Sequence, residues 1–215
     1  MTVVIYVEGT SDQLAMEALF ASLIEQKHYE GITIQFVQEP SGDKKKVLLT
    51  KVPVEAVHIL WNNPDTHVVA LPDLYPPNKG FDHRTYDELA AGIYACFNTE
   101  LQRCRIYDSR LLSRFHVFCF KYDLEALVLA SEQALLHELQ MNHFTKAERC
   151  WTIPTEDQNH DHPPKRVVEA LFAQHHRIYR EAEIAPRVLG ATNYWELADR
   201  CPQCFKPFVE FLTAL

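Results

Sequence analysis

Thr2-Val3-Val4-Ile5-Tyr6-Val7-Glu8-Gly9-Thr10-Ser11-Asp12 is the stretch on which the fold turns. Thr2 to Tyr6 is a short apolar run dominated by β-branched residues. A run this short suits a strand covered on both faces, as in a parallel sheet. A carboxylate, Glu8, stands where the strand ends, and Gly9 permits a sharp turn. Thr10 or Ser11 caps the next helix, and Asp12 suits its positive end. Leu14, Ala15, Ala18, Leu19, Ser22 and Leu23 then form one stripe of that helix. Ligands of open α/β sheets bind beyond the carboxyl ends of strands, which is where Glu8 would stand. A surface glutamate in a strand-to-helix turn is the plainer alternative.

The same device recurs downstream. Ile32 to Val37 alternates like a second strand and ends in a turn cluster, Gln38-Glu39-Pro40-Ser41-Gly42-Asp43. Lys44-Lys45-Lys46 opens a helical segment to about Trp61 that Pro53 must start, kink or split. Three lysines at a helix start oppose the dipole, which makes sense if they face an anion; a solvated face is the alternative. Thr66 to Leu71 is a third strand, followed by Asp73. Thr85 begins a helix bearing Leu89, Ile93, Phe97 and Leu101. Phe115 to Phe120 is a fourth strand, followed by Asp123, Glu125 and another helix. Alternation of strands and helices predicts an α/β fold, a mostly parallel four-stranded sheet with helices on both faces. The domain boundaries expected are 1–140 for the α/β domain and 141–215 for a C-terminal helical extension packed on it. The extension holds a polar loop (Trp151 to Pro164), a helix from Lys165 to Tyr179, and helices over Ile184–Leu189 and Tyr194–Leu215, the last broken at Cys201-Pro202.

Composition narrows the functional classes. Of 215 residues 47% are apolar, enough for a real core, and the net charge of −8 removes any global basic footprint, so nucleic-acid contact must come from local patches. No apolar run reaches the ~18–20 residues that span a bilayer, and no signal peptide precedes the first strand. Six dispersed cysteines in a chain of this size point to a reducing, cytoplasmic setting. With six glycines and no G-x-x-x-x-G-K-[ST] or G-x-S-x-G, a P-loop hydrolase and a nucleophile elbow are excluded. Cys201-Pro202-Gln203-Cys204 with His160-Asp161-His162 lacks the second cysteine pair of a structural zinc site, and buried structural cysteines are the better reading. Trp61, Trp151 and Trp195 read as core aromatics rather than stacking platforms.

The carboxylates remain. Phosphoryl transfer needs positioning and charge neutralisation, and Mg²⁺ takes a few carboxylates while keeping water and phosphate oxygens. Glu8, Asp73 and Glu125, with Asp12 or Asp123 helping, fit Mg²⁺ or Mn²⁺. Lys165 and Arg166 would hold a phosphate, and Lys44, Lys45 and Lys46 would follow a nucleic-acid backbone.

Val7 to Asp12 after a buried strand, with an acid after the third strand, resembles the Toprim domain of topoisomerases, primases and OLD-type nucleases. The chain is closer to a bacterial Toprim-like family of unassigned function, domain of unknown function 4276, often encoded beside an ATPase. The resemblance rests on Asp-Leu-Tyr at 73–75, Tyr-Asp-Leu-Glu-Ala-Leu at 122–127, Pro-Pro-Lys-Arg at 163–166, Ile-Ala-Pro-Arg-Val-Leu-Gly at 184–190 and Arg-Cys-Pro at 200–202, in that order. It implies a Toprim-like fold and a Mg²⁺-dependent nuclease with Glu8 as general acid/base, Asp73 as the first metal-binding aspartate, and a partner ATPase in bacterial defence. A standard Toprim has Asp-x-Asp after the third strand; here Tyr75 takes the second place, so Glu125 supplies the missing ligand or the metal site is weak or lost. The alternative is a catalytically weak binding module docked on a partner protein.

Overall fold

A computed structural model describes residues 1–38, 42–158 and 161–215. Part of the turn cluster after the second strand (Glu39, Pro40, Ser41) and His160 lie outside the described residues. The elements are β1 (Thr2–Val7), α1 (Thr10–Leu19), α2 (Ala21–Tyr29), β2 (Thr33–Gln38), α3 (Lys44–Thr50), α4 (Val52–Asn62), β3 (Thr66–Leu71), α5 (Tyr86–Arg103), β4 (Phe115–Val117), α6 (Glu125–Ala130), α7 (Glu132–Leu139), α8 (Pro164–Gln174), α9 (Glu181–Gly190), α10 (Tyr194–Arg200) and α11 (Phe205–Ala214). The chain divides into two compact units. One comprises 1–9, 23–119 and 215, the other 10–22 and 120–214, a partition different from the 1–140 and 141–215 domains read from sequence.

The first unit is built on the sheet. Its strands run in the order β2-β1-β3-β4 and every pairing is parallel. β1 is central, pairing Thr2 with Thr33 on one side and with Thr66 on the other. Val68, Val69 and Ala70 of β3 are fully buried in succession, which is why that strand reads as an apolar run, whereas β1 alternates between buried Val3, Ile5 and Val7 and half-buried Val4 and Tyr6. β4 is shorter than the six residues expected. Its register sets Val117 opposite Ala70, one residue before β3 ends, so little partner strand remains. α5 begins with a capping box: Thr85 accepts from the Glu88 N–H while Glu88 accepts from the Thr85 N–H. Phe97 of α5 stacks on Phe115 of β4, ring centroids 4.5 Å apart. Pro53 splits the lysine-led segment into α3 and α4 by sitting in the first turn of α4, where its missing N–H costs nothing. Arg114 donates to the carbonyls of Leu60, Asn63 and Thr66 and so closes the end of α4.

The second unit is helical. α1 packs along α9, and the close approach is made possible by Gly190, where a Cβ would stand 3.2 Å from that of Ala18. Phe20, Phe205 and Phe208 fill its interior, Phe20 meeting Phe208 edge-on at 5.7 Å. α8 stops at Gln174, short of the Tyr179 expected, because His176 takes positive φ and ends the helix. The break at 201–204 separates α10 from α11 as the sequence indicated. Trp151 is buried, but Trp61 and Trp195, read as core, are largely exposed. Among the described residues no helix is long and apolar enough to cross a membrane.

Candidate functional site

The sheet reverses its winding between β1 and β3, since β2 lies on one side of β1 and β3 and β4 on the other. A crevice opens at the carboxyl ends of strands flanking such a point. Val7 and Leu71 are register partners, so the residues that follow them emerge side by side. Glu8 follows β1, Asp73 follows β3, and the Asp73 N–H donates to Glu8 Oε1 at 3.0 Å. The loop carrying Asp73 is pinned by His83, buried at its far end, whose ring nitrogens lie 3.2 Å from the Leu74 carbonyl and 2.9 Å from the Phe81 carbonyl.

Lys45 completes this corner. Its ammonium donates to the Asp73 carbonyl at 2.7 Å and lies 3.9 Å from Glu8 Oε1. It is only 4% exposed, held there by α3, which Asp43 caps through the Lys46 N–H. Burial lowers its pKa, and the charges of Glu8 and Asp73 counter only part of that effect. Lys44 and Lys46 differ from it in being exposed, so the lysine run splits into one buried group and two at the surface.

The second unit holds its own carboxylates. All six residues of α6 are buried, which takes Glu125 inside at 1% exposure; Asp123, just before it, is 8% exposed. Asp123 Oδ1 and Glu125 Oε1 are buried without a hydrogen-bond partner. Asp123 Oδ2 accepts from the Lys165 backbone N–H at 3.3 Å, in the first turn of α8. Burial pushes the Asp123 carboxyl up to about 6, against the pull of Lys165, and burial, then Asp123 and Glu181, hold Glu125 well above the usual carboxylate range. The Lys165 ammonium pairs with Glu181, which also accepts from the Ser11 hydroxyl at 2.6 Å. Burial alone would lower Lys165, but Glu181, Glu125 and Asp123 together bring it to about 12. The Tyr179 hydroxyl is held above its ordinary range by burial and by Glu125 and Glu181. Asp12 is buried in the first turn of α1, and Arg166 is exposed beside Lys165.

Of the expected residues, then, Glu8 and Asp73 meet in the first unit, with Lys45; Asp123, Glu125 and Lys165 meet in the second. Sequence reading missed Glu181, Tyr179 and His83. Glu181 stands in the first turn of α9, where an acid reads as a partner for the dipole and carries no other signal.

The cysteine pair has a structural use. Cys201 and Cys204 are buried free thiols, and burial raises the Cys201 thiol to about 12. Glu156 of the polar loop accepts the N–H groups of Gln203, Cys204 and Phe205 at 2.7, 2.8 and 3.1 Å, capping α11.

Three comparisons with known proteins bear on identity. No curated protein matches the chain. Among solved structures it is similar to the C-terminal region of the Burkholderia pseudomallei OLD protein, with a TM-score of 0.49 at 16% identity over 99% of this chain and 96% of that one. It is also similar to the C-terminal region of the Xanthomonas campestris pv. campestris OLD protein, with a TM-score of 0.43 at 13% identity over 98% and 93%. The family described as Domain of unknown function (DUF4276) matches residues 7–213, nearly the whole length, and the chain belongs to that family.

Proposed function

We propose that this chain is a Toprim-like phosphodiesterase that uses a divalent cation, Mg²⁺ or Mn²⁺, to hydrolyse DNA or RNA in the cytoplasm, working beside a partner ATPase. The observation that carries the reading is the meeting of Glu8 and Asp73 at the switch point between β1 and β3. The donor chemistry suits the ion. Mg²⁺ is usually held by one or two carboxylates, its other positions going to water and phosphate oxygens. Glu8 and Asp73 would hold it in the first unit; in the second, Asp123 and Glu125 offer buried oxygens that accept nothing from the protein. Asp12 is proposed as a further carboxylate ligand. The cation would supply charge neutralisation and activation of the attacking water.

The chain's own residues would do the rest. Glu8 moves a proton at Oε1, the atom that the Asp73 N–H orients. Lys165, kept cationic by Glu181, balances charge on a phosphate, while the exposed Lys44, Lys46 and Arg166 hold the backbone. Lys45 positions the Asp73 loop through its carbonyl. The test is cleavage of single- and double-stranded DNA and of RNA with Mg²⁺ or Mn²⁺, wild type beside Glu8→Gln. Cleavage is expected in the wild type and lost in the variant, with the melting temperature unchanged within a few degrees. Cleavage that survives in Glu8→Gln sinks the assignment.

A second reading has its own observation. Tyr75 stands where a Toprim has its second aspartate, and the buried Lys45 already sets a positive charge beside Glu8. Such a corner suits a module that binds or regulates a partner without cleaving. Wild type that neither binds a divalent cation nor cleaves would favour this reading.

A further inference from the structure

At the far end of α5 three side chains of different chemistry converge on a point that phosphodiester hydrolysis does not use. Glu100 is a carboxylate only 4% exposed. His58 reaches it from α4, Nε2 lying 2.9 Å from Glu100 Oε1. Cys104, the residue that ends α5, places Sγ 3.3 Å from the same oxygen. The separation of four residues between Glu100 and Cys104 puts both on one face of the helix. The three donor atoms all lie within 4.8 Å of one another, and among the described residues no other trio of His, Cys, Asp or Glu does so.

We propose that His58, Glu100 and Cys104 form a transition-metal site whose natural occupant is Zn²⁺. An imidazole, a thiolate and a carboxylate together are the donor set of a borderline-soft ion; a hard ion such as Mg²⁺ takes oxygens alone. Metal–ligand bonds of about 2.0–2.3 Å in a tetrahedron set the donors a little over 3 Å apart. The separations of 2.9 and 3.3 Å from Glu100 Oε1 are close to that, and the third, between the His58 and Cys104 donor atoms, is within 4.8 Å, so closing the site around an ion asks mainly for the half-exposed His58 ring to turn toward Cys104. His58 is about half exposed, so water takes the fourth position.

Without metal the same charge is met by other groups. Arg103 donates to both oxygens of Glu100 at 2.6 Å, and the Cys104 thiol donates to Oε1. The Arg103 side chain is largely exposed and can swing into water without disturbing the core. On binding, the Cys104 sulfur–hydrogen bond breaks, its electron pair goes to the metal and its proton goes to solvent; no redox partner is needed. Arg103 is therefore a competitor of the metal for Glu100, a relation that a purely structural ion pair would not have.

The test uses the full chain stripped of metal with a chelator and titrated with Co²⁺, a coloured stand-in for Zn²⁺. Wild type is expected to develop a thiolate-to-cobalt charge-transfer band that saturates at a single equivalent bound through sulfur and that Zn²⁺ abolishes by displacement; Co²⁺ held by carboxylates alone gives no such band. His58→Ala and Cys104→Ser should each weaken binding at least about tenfold, and Cys104→Ser should remove the band. Arg103→Ala should bind several-fold more tightly, whereas Cys201→Ser/Cys204→Ser should retain the band in full. Circular dichroism of each variant confirms that it is folded. A band that persists in Cys104→Ser, disappears in Cys201→Ser/Cys204→Ser, or is absent from wild type at millimolar Co²⁺ overturns the proposal. None of these results depends on Glu8 or Asp73.

Discussion

Replacing Glu156 by glutamine, and then by alanine, probes how the polar loop of the second unit is tied to its last helix. Glu156 is 1% exposed and accepts three backbone N–H groups at the start of α11, Cys204 and Phe205 on Oε1 and Gln203 on Oε2. Hydrogen bonds to a charged acceptor contribute about 1.5–3 kcal/mol each, but three that share one carboxylate do not add in full. Alanine leaves three donors without that acceptor and removes the negative charge from the positive end of α11. A loss of about 3–5 kcal/mol is expected, a fall in melting temperature of roughly 6–20 °C for a chain of this size. Glutamine keeps one acceptor oxygen but sets an NH₂ group against the Gln203 N–H, and is expected to cost about 1–3 kcal/mol. Urea unfolding followed by tryptophan fluorescence measures both. Trp61 lies in the first unit and Trp151 and Trp195 in the second, so a Trp61→Phe background confines the signal to the second unit. An alanine variant within about 1 kcal/mol of its parent would refute the reasoning.

Two pH profiles follow from groups whose protonation folding shifts. His67 and His116 stack with ring centroids 5.3 Å apart, and burial, then His67, depress His116 to about 4. Between that value and an ordinary ~6.5 the unfolded chain takes a proton that the folded chain refuses, so stability is full above about pH 6.5 and is lost as pH falls toward 4. After allowance for screening at its partly exposed edge the loss is about 2 kcal/mol; the stability difference between wild type and His116→Phe should change by that much across the window, and a constant difference contradicts it. Asp123 has the opposite sign. Its carboxyl is raised to about 6 by burial, so its contribution is fully present below an ordinary ~3.9 and is lost as pH rises through 6. Asp123→Asn removes that loss and should gain up to about 3 kcal/mol on wild type between pH 4 and 7 in metal-free buffer; a difference that does not grow over that range counts against the buried carboxyl.

The sheet was legible because its central strands are strongly apolar: Val3-Val4-Ile5 and Val68-Val69-Ala70-Leu71 carry little besides β-branched and aliphatic side chains, and β3 is buried over its last four residues. Glu8 and Asp73 were legible for the same reason, as the first acids after such runs. β4 was overread because Cys119 and Phe120 continue beyond the end of β3; Phe118 still donates its N–H to the Ala70 carbonyl. Lys45 was not separable within its lysine run. It shares a helix face with the buried Leu48 and Leu49, three and four residues on, but Lys44 stands in the same relation to the buried Val47 and Leu48, so the periodicity alone does not tell the buried lysine from its exposed neighbour. Glu125 opens a helix whose other five residues are all apolar, which leaves it no polar face. Glu156 and Glu181 had no such signal, because their partners lie far along the chain: Glu156 meets the start of α11 and Glu181 meets Ser11. Local periodicity is silent about a polar side chain whose partner lies far along the chain, whether backbone, as for Glu156, or side chain, as for Glu181. Residues 10–22 belong to the same compact unit as 120–214, although 23–119 separate them in the chain, a grouping that no local pattern carries.

Calorimetric titration of Mn²⁺ and Mg²⁺ into the metal-free protein, wild type beside Asp73→Asn and Glu8→Gln, tests the central claim most directly. The variants keep the side-chain shapes, and the Asp73 backbone N–H still has an acceptor at position 8. Saturable binding in the wild type, weakened at least about tenfold in both variants, is the result expected of a cation held at the ends of β1 and β3. Binding of equal strength in all three proteins, or none in the wild type, would contradict it.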